Sequence, residues 1–231
     1  MAQRYQNPIL TVDVVILTLR EGQLQVALMK RAEGPFVGRA TLPGGYVHAD
    51  PSAGEVDAST TDAALRMLKQ KLGFTPSHLE QVYTASGPTR DPRGWSASVV
   101  YLALHEAAVV DALVQAGAVS LHEVHPTPAL PRLAFDHKQL IQTALARLQA
   151  KARYSTIVAH LLPPVFRLSD LRQAYELVCG TTENKANFRR KMLAAGALEP
   201  TELLTGGVGR PAEGYRLRDD LTTIDGLISG G

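Results

Sequence analysis

The chain changes rhythm part-way along, and that change restricts its fold more than any other feature. Up to about residue 152, β-rich runs alternate with loops; beyond the Pro163-Pro164 break, two helical runs are followed by two short strands. Such a switch of period points to two units of different class. In the first half, the strand-like runs 11–19 and 23–30 are separated by Glu21-Gly22, which predicts a hairpin. Ser59 and Asp62 stand at capping-box spacing before Ala63, Ala64, Met67 and Leu68, and Gly73 ends that helical run. Strands are expected over 79–85 and 96–104, around a polar loop at 89–94, with a helix over about 136–150. In the second half, 168–178 predicts a helix with Ser169 as N-cap and Gly180 as terminator. A second helix is expected over 184–195, then strands over 197–204 and 215–218 around a glycine-rich tip. Helix, helix and a hairpin with a basic tip is the order of a winged helix-turn-helix. The expected organisation is an α/β (α+β) domain over 1–152 and a winged helix over 153–231.

Composition narrows the function classes. With 45% hydrophobic and 20% charged residues the chain can build a core, which excludes wholesale disorder. A single cysteine, Cys179, excludes an intrachain disulfide, suits a reducing compartment and reads as apolar filler on a helix. The polar stretch 1–8 lacks the apolar run of a signal peptide, and Asp13 and Asp111 interrupt the best candidates for a membrane span. A cytoplasmic protein with no membrane partner is expected. His122-Glu123-Val124-His125 falls short of zinc-protease spacing, and Pro126 and Pro128 predict a loop there, so no metal site is expected.

The net charge of +2 is too small to imply a nucleic-acid partner by itself, so placement decides. Between Lys185 and Leu198 there are four basic residues and no acidic one. On that helix Phe188, Met192 and Ala195 share an inward face. Asn187 and Arg190 then point outward, flanked by Lys185, Arg189 and Lys191, while Arg210 stands on the wing. These six residues are the expected contacts to double-stranded DNA.

The segment from Leu42-Pro43-Gly44-Gly45 through Arg66 to Gly73-Phe74 resembles the Nudix signature. In that family three glutamates at i, i+3 and i+4 of the helix make one patch of oxygen ligands for magnesium, which neutralises a pyrophosphate while water attacks it. Here those positions hold Met67, Gln70 and Lys71, and the upstream glutamate position holds Ala58. Methionine offers no hard oxygen, glutamine one neutral carbonyl, and lysine a repelling cation. Glu55 and Asp62 remain nearby without rebuilding the patch. No catalytic residue and no metal site is therefore expected, and the chain reads as no enzyme.

Residues 34–38, Arg90-Asp91-Pro92-Arg93-Gly94 and Leu133-Ala134-Phe135-Asp136-His137 are similar to Nudix domains that act on or sense ADP-ribose. With Asn187-Phe188-Arg189-Arg190-Lys191 and Gly209-Arg210-Pro211-Ala212, the whole chain resembles the Nudix-related transcriptional regulators of NAD metabolism, the NrtR family. The resemblance implies a Nudix-like sandwich, repression of NAD-metabolism genes by a homodimer on a palindromic operator, no cofactor, and ADP-ribose or a related nucleotide as effector. It implies ligand contacts at Phe36, Arg39, Gly44, Gly45 and Arg66. Lys71, Arg90, Asp91 and Arg93 complete the set: two guanidiniums to clamp phosphate, Asp91 to hold one of them, and a lysine to replace part of the magnesium charge. Ala40 stands where the family has a tryptophan, so the pocket wall is expected to differ there. Two rival readings are a divergent ADP-ribose or nucleotide-sugar pyrophosphatase, and a DNA-binding protein whose Nudix domain is only a dimerisation platform. The connection at 150–162 is where an angle between the units is expected to change.

Overall fold

A computed structural model describes residues 7–204 and 212–218. A seven-stranded mixed sheet is built from β1 (Ile9–Arg20), β2 (Gln23–Lys30), β3 (Ala40–Thr41), β4 (Gly44–Tyr46), β5 (His78–Gly87), β6 (Ser96–Leu104) and β7 (Ser120–His125). Its main path runs β3-β2-β1-β6-β5, with β4 on β1 and β7 on β2. β1 and β2 form the expected hairpin, closing at Arg20 opposite Gln23 with Glu21 and Gly22 both at positive φ. β1 and β6 lie parallel, which buries both faces of β1. Val12, Val14 and Ile16 face α1 (Thr60–Leu72) and α2 (Ala107–Gln115), while Val15 and Leu17 face α3 (His137–Ala152). The result is a sheet between two helical layers.

α1 forms as its caps predict. The Ser59 hydroxyl accepts from the Asp62 N–H at 3.2 Å, and Gly73 takes the left-handed conformation at φ 62°. Two sequence expectations are corrected. α2 lies where no helix was expected, and its N-cap, Glu106, makes no side-chain capping bond. The stretch holding His122 and His125 is not a loop but strand β7, antiparallel to β2.

The C-terminal unit holds β8 (Phe166–Arg167), α4 (Leu168–Cys179), α5 (Lys185–Ala194), β9 (Leu198–Leu204) and β10 (Ala212–Leu217), its sheet ordered β8-β10-β9. Ser169 is not the N-cap of α4. Arg167 is, and the Asp170 carboxylate accepts the Arg167 backbone N–H at 3.1 Å. Arg210 and the tip at 205–211 lie outside the described residues. No helix among the described residues is long and apolar enough to cross a membrane.

One apolar core runs from Val15 and Leu102 of the large sheet, through Leu148 and Ala152 of α3, to Leu171, Phe188 and Tyr215. The connection at 150–162 is part of it: Ile157, Val158, Ala159 and Leu161 of a 3-10 turn are buried there. His160 of that turn stacks on His78 of β5 at 4.8 Å between ring centres. Glu80 accepts from Lys151 and, at 3.4 Å, from Arg147, both on α3. Burial, with the charges of His78 and Lys151, holds His160 down from 6.5 to about 4. Unfolded, this imidazole takes its proton near 6.5; folded, it refuses it until about 4. Stability is therefore lost as pH falls through that window. His105, His122 and His137 are shifted the same way by burial. Glu80, drawn down to about 2 against its burial by bonds from His78 and Lys151, acts in a lower window, below about 4.5. Melting curves should show Tm falling between pH 6.5 and 4, and His160→Phe should reduce that slope by up to one proton. A slope left unchanged by the substitution would refute the assignment.

Candidate functional site

The site begins with a carboxylate inside an apolar strand. Asp13 is 8% exposed on β1 and faces the N-terminus of α3. Ser98 on β6 donates to it at 2.6 Å, and Arg90 approaches it at 3.7 Å. His137 at the first turn of α3 is also buried. Its Nδ1 accepts the Leu42 backbone N–H at 3.0 Å and lies 3.2 Å from the Thr41 hydroxyl. Nδ1 is thus the acceptor, which places the neutral ring's proton on Nε2, 3.6 Å from Asp13. Burial pushes the imidazole below its usual range, in keeping with a neutral ring. This buried network fixes the Leu42-Pro43-Gly44-Gly45 turn against α3. Gly44 pairs with Asp13 across β1 and β4 so closely that a Cβ there would lie 2.4 Å from the Asp13 carboxylate and 2.7 Å from the Val12 carbonyl.

Above the turn opens a cavity of about 640 Å³. Gly44, Gly45, Lys71, Arg90, Asp91 and Arg93, all expected at the ligand, line it. Phe36, Arg39 and Arg66 do not. Arg66 is held by Asp57 through bonds of 2.7 and 2.8 Å and by the Tyr46 carbonyl at 3.0 Å, so it braces α1 against the turn. Phe36 packs edge-on against Phe135 at 4.9 Å, with the Arg39 guanidinium 4.8 Å above its ring. Ala40 does not line the cavity; its carbonyl accepts the Ala134 N–H at 2.9 Å.

The two guanidiniums of the 89–94 loop differ. Asp91 holds Arg93, as expected, with contacts of 2.6 to 3.2 Å, and this bond draws the carboxyl below its usual range. Arg90 is gripped by Asp136 at 3.0 and 3.1 Å, its side chain only 10% exposed. It is therefore a strut between the loop and α3 and no free phosphate clamp. Sequence reasoning missed Asp13, Arg31, Tyr46, Phe135 and His137 as cavity walls. The signal for Asp13 was in view, a lone acid in the run Thr11-Val12-Asp13-Val14-Val15.

The Nudix fold implies magnesium, and these residues do not fit it. Met67 is buried under Gly45, Gln70 lies 3.4 Å from Arg66, and the Lys71 ammonium donates to the Gly44 carbonyl at 2.6 Å. No group of three His, Cys, Asp or Glu that could hold a metal ion occurs among the described residues.

On the C-terminal unit, α5 starts at Asn184, whose side chain accepts the Ala186 and Asn187 N–H groups. Phe188 and Met192 are buried and Ala195 is half-buried. Lys185, Asn187, Arg189 and Arg190 are exposed, with Arg190 opposite the buried pair, and Lys191 is half-buried. Arg189 meets Glu213 of β10 at 3.3 Å, and Arg190 reaches the Asn187 side chain at 3.3 Å.

The family model of the NrtR DNA-binding winged helix domain matches residues 158–217. The chain is 37% identical, over 92% of its length and 83% of the relative's, to an ADPR-responsive transcriptional repressor, NtrR, of Acinetobacter baylyi. It is 32% identical over 60% of its length, and 73% of the relative's, to an ADP-ribose pyrophosphatase of Methanocaldococcus jannaschii. Among solved structures, Shewanella oneidensis NrtR complexed with a 27mer DNA matches with a TM-score of 0.82 and 34% identity, covering 94% of this chain and 99% of that one. A Nudix-like sandwich followed by a winged helix, with this similarity along nearly its whole length, places the chain in the NrtR family.

Proposed function

We propose that the chain is a ligand-responsive transcriptional repressor in which residues 153–231 bind operator DNA and residues 1–152 hold the effector. The observation that carries this reading is the exposed surface of α5: Asn187, Arg189 and Arg190 project from a helix anchored by Phe188 and Met192, and Lys185 is exposed at its first turn. A helix so presented suits the major groove, with cations for phosphates and Asn187 and Arg190 for base edges. The A. baylyi repressor and the DNA complex of S. oneidensis NrtR support it. A homodimer would offer two such helices to a palindromic site by matching symmetry. The regulated genes, by membership of the family, are those of NAD metabolism, and the cytoplasm is the place of action.

The effector is ADP-ribose or a related nucleotide, in keeping with the description of the A. baylyi relative. Its seat is the cavity above Gly44 and Gly45, of a size that suits such a ligand. The protein does not turn the ligand over, because Met67, Gln70 and Lys71 supply no carboxylate for the metal that hydrolysis needs. An unreactive pocket suits a sensor, since the signal is not destroyed as it is read.

For the effector to release DNA it must bind one state of the protein better than another, and the coupling is reciprocal. Titrating ADP-ribose into the protein–operator complex should weaken operator binding, and operator should weaken ADP-ribose binding by the same factor, about 5–150-fold. The ADP-ribose should be recovered intact afterwards in buffer containing magnesium. Tight binding with no coupling in either direction would reduce the first domain to a platform. Recovery of AMP would favour the pyrophosphatase reading suggested by the M. jannaschii relative.

A further inference from the structure

Five cations line the cavity: Lys30, Arg31, Lys71, Arg90 and Arg93. Asp136 and Asp91 neutralise Arg90 and Arg93. Lys30, Arg31 and Lys71 have no carboxylate partner among the described residues, and of these Arg31 and Lys71 stand close enough for their charges to interact. Arg31 is half-buried, donates to the Pro35 carbonyl at 2.5 Å and lies 4.7 Å over the Phe135 ring. Lys71 has only the neutral Gly44 carbonyl. Partial desolvation of the otherwise exposed side chain, and then the charge of Arg31, holds the Lys71 ammonium below the usual lysine range, with Asp13 offsetting part of the effect, so the two cations already feel each other across the cavity. Of the three acids lining the cavity, Asp13 is engaged by Ser98 and Arg90 and Asp91 by Arg93, while Glu33 is exposed and forms no ion pair among the described residues. Neighbouring positive charges with no carboxylate partner, facing one space, favour an anion there.

We infer that this cavity holds the diphosphate of its nucleotide directly between Lys71 and Arg31, without a divalent metal. The inference rests on the sensor reading above and deepens it. Where the Nudix signature would collect magnesium and let the metal meet the phosphates, this chain meets them with its own ammonium and guanidinium. Lys71 exchanges its bond to the Gly44 carbonyl for a phosphate oxygen, while the Phe135 ring keeps the Arg31 guanidinium in place. Arg31 is the contact sequence reasoning did not name. A dianion is the matching charge, so a diphosphate-bridged nucleotide should bind and the corresponding uncharged nucleoside should not.

The test is calorimetry of ADP-ribose binding to the full chain, in EDTA and in excess magnesium. The affinity should be the same within about threefold, and Lys71→Gln and Arg31→Gln should each weaken it at least about tenfold in EDTA, with Lys71→Arg retaining most of it. At alkaline pH, in buffers of different ionisation enthalpy, binding to the wild type should take up a proton. That uptake should vanish in Lys71→Arg, a change that a merely structural lysine would not produce. Binding that requires magnesium would overturn this inference and leave the sensor reading standing. Binding in EDTA unaffected by the Lys71 and Arg31 substitutions would also overturn it. Absence of binding in both buffers would overturn both.

Discussion

The double substitution Arg189→Glu and Arg190→Glu is expected to lower operator affinity at least about 100-fold, since each lost contact costs about 1–3 kcal/mol and each new carboxylate repels phosphate. Both side chains are exposed, and their described polar partners are Glu213, Tyr215 and Asn187, so the fold should not suffer. A melting curve checks that. Anisotropy titrations against operator at several salt concentrations separate the two kinds of contact. Losing phosphate contacts flattens the dependence of affinity on salt by about one ion per contact, while losing a base contact weakens binding at a single position of the site. Unchanged affinity in a folded double variant would show that α5 is not the element that enters the groove.

Gly44→Ala should be the most damaging single-methyl change in the first domain. The new Cβ would stand 2.4 Å from the Asp13 carboxylate and 2.7 Å from the Val12 carbonyl. The carbonyl belongs to β1 in mid-sheet, and the carboxylate is pinned by Ser98 and Arg90, so neither can step aside. Overpacking of this kind costs about 1–3 kcal/mol or more, and at about 2–4 °C per kcal/mol Tm should fall by about 5–10 °C. Effector binding should fall with it, because the strand must part from Asp13 at the cavity floor. Gly45→Ala is the control. Its Cβ would meet the Met67 side chain at 3.3 Å, a flexible neighbour that can move, and the effect should be slight. Equal effects of the two substitutions would contradict this account of the turn.

The parts legible in the sequence were those set by local chemistry. The Glu21-Gly22 hairpin, the Ser59 and Gly73 ends of α1, and α5 after Asn184 all follow from residues within a turn of the feature they make. α2 escaped because Ala107-Ala108-Val109-Val110 is apolar without periodicity and has no capping side chain. β7 escaped because Pro126 suggested a loop, although it falls just past the strand's last residue, His125. The cavity was half legible. The signature turn led to Gly44, Gly45 and Lys71, but the choice between a free guanidinium and a tied one depends on Asp136, 46 residues from Arg90 in the chain. The tie on Arg66 was hidden for a like reason, since its partner Asp57 lies in the loop between the turn and α1.

The unbroken core from β1 to Tyr215 bears on how such a chain can be rebuilt. A DNA-reading head that hangs on a solvated tether can be cut off and grafted elsewhere with little loss. Here a cut at residue 152 would pass through packed side chains, stripping Leu148 and Ala152 from one fragment's neighbours and leaving Ile157, Val158 and Leu161 bare on the other. A chimaera would have to carry the second half of α3 and its contacts along with the winged helix, or redesign both faces of the seam. Exchange of heads between proteins of this build is thus restricted to partners with matching seams, and specificity for a new operator is more easily reached by changing the exposed residues of α5 than by importing a new head.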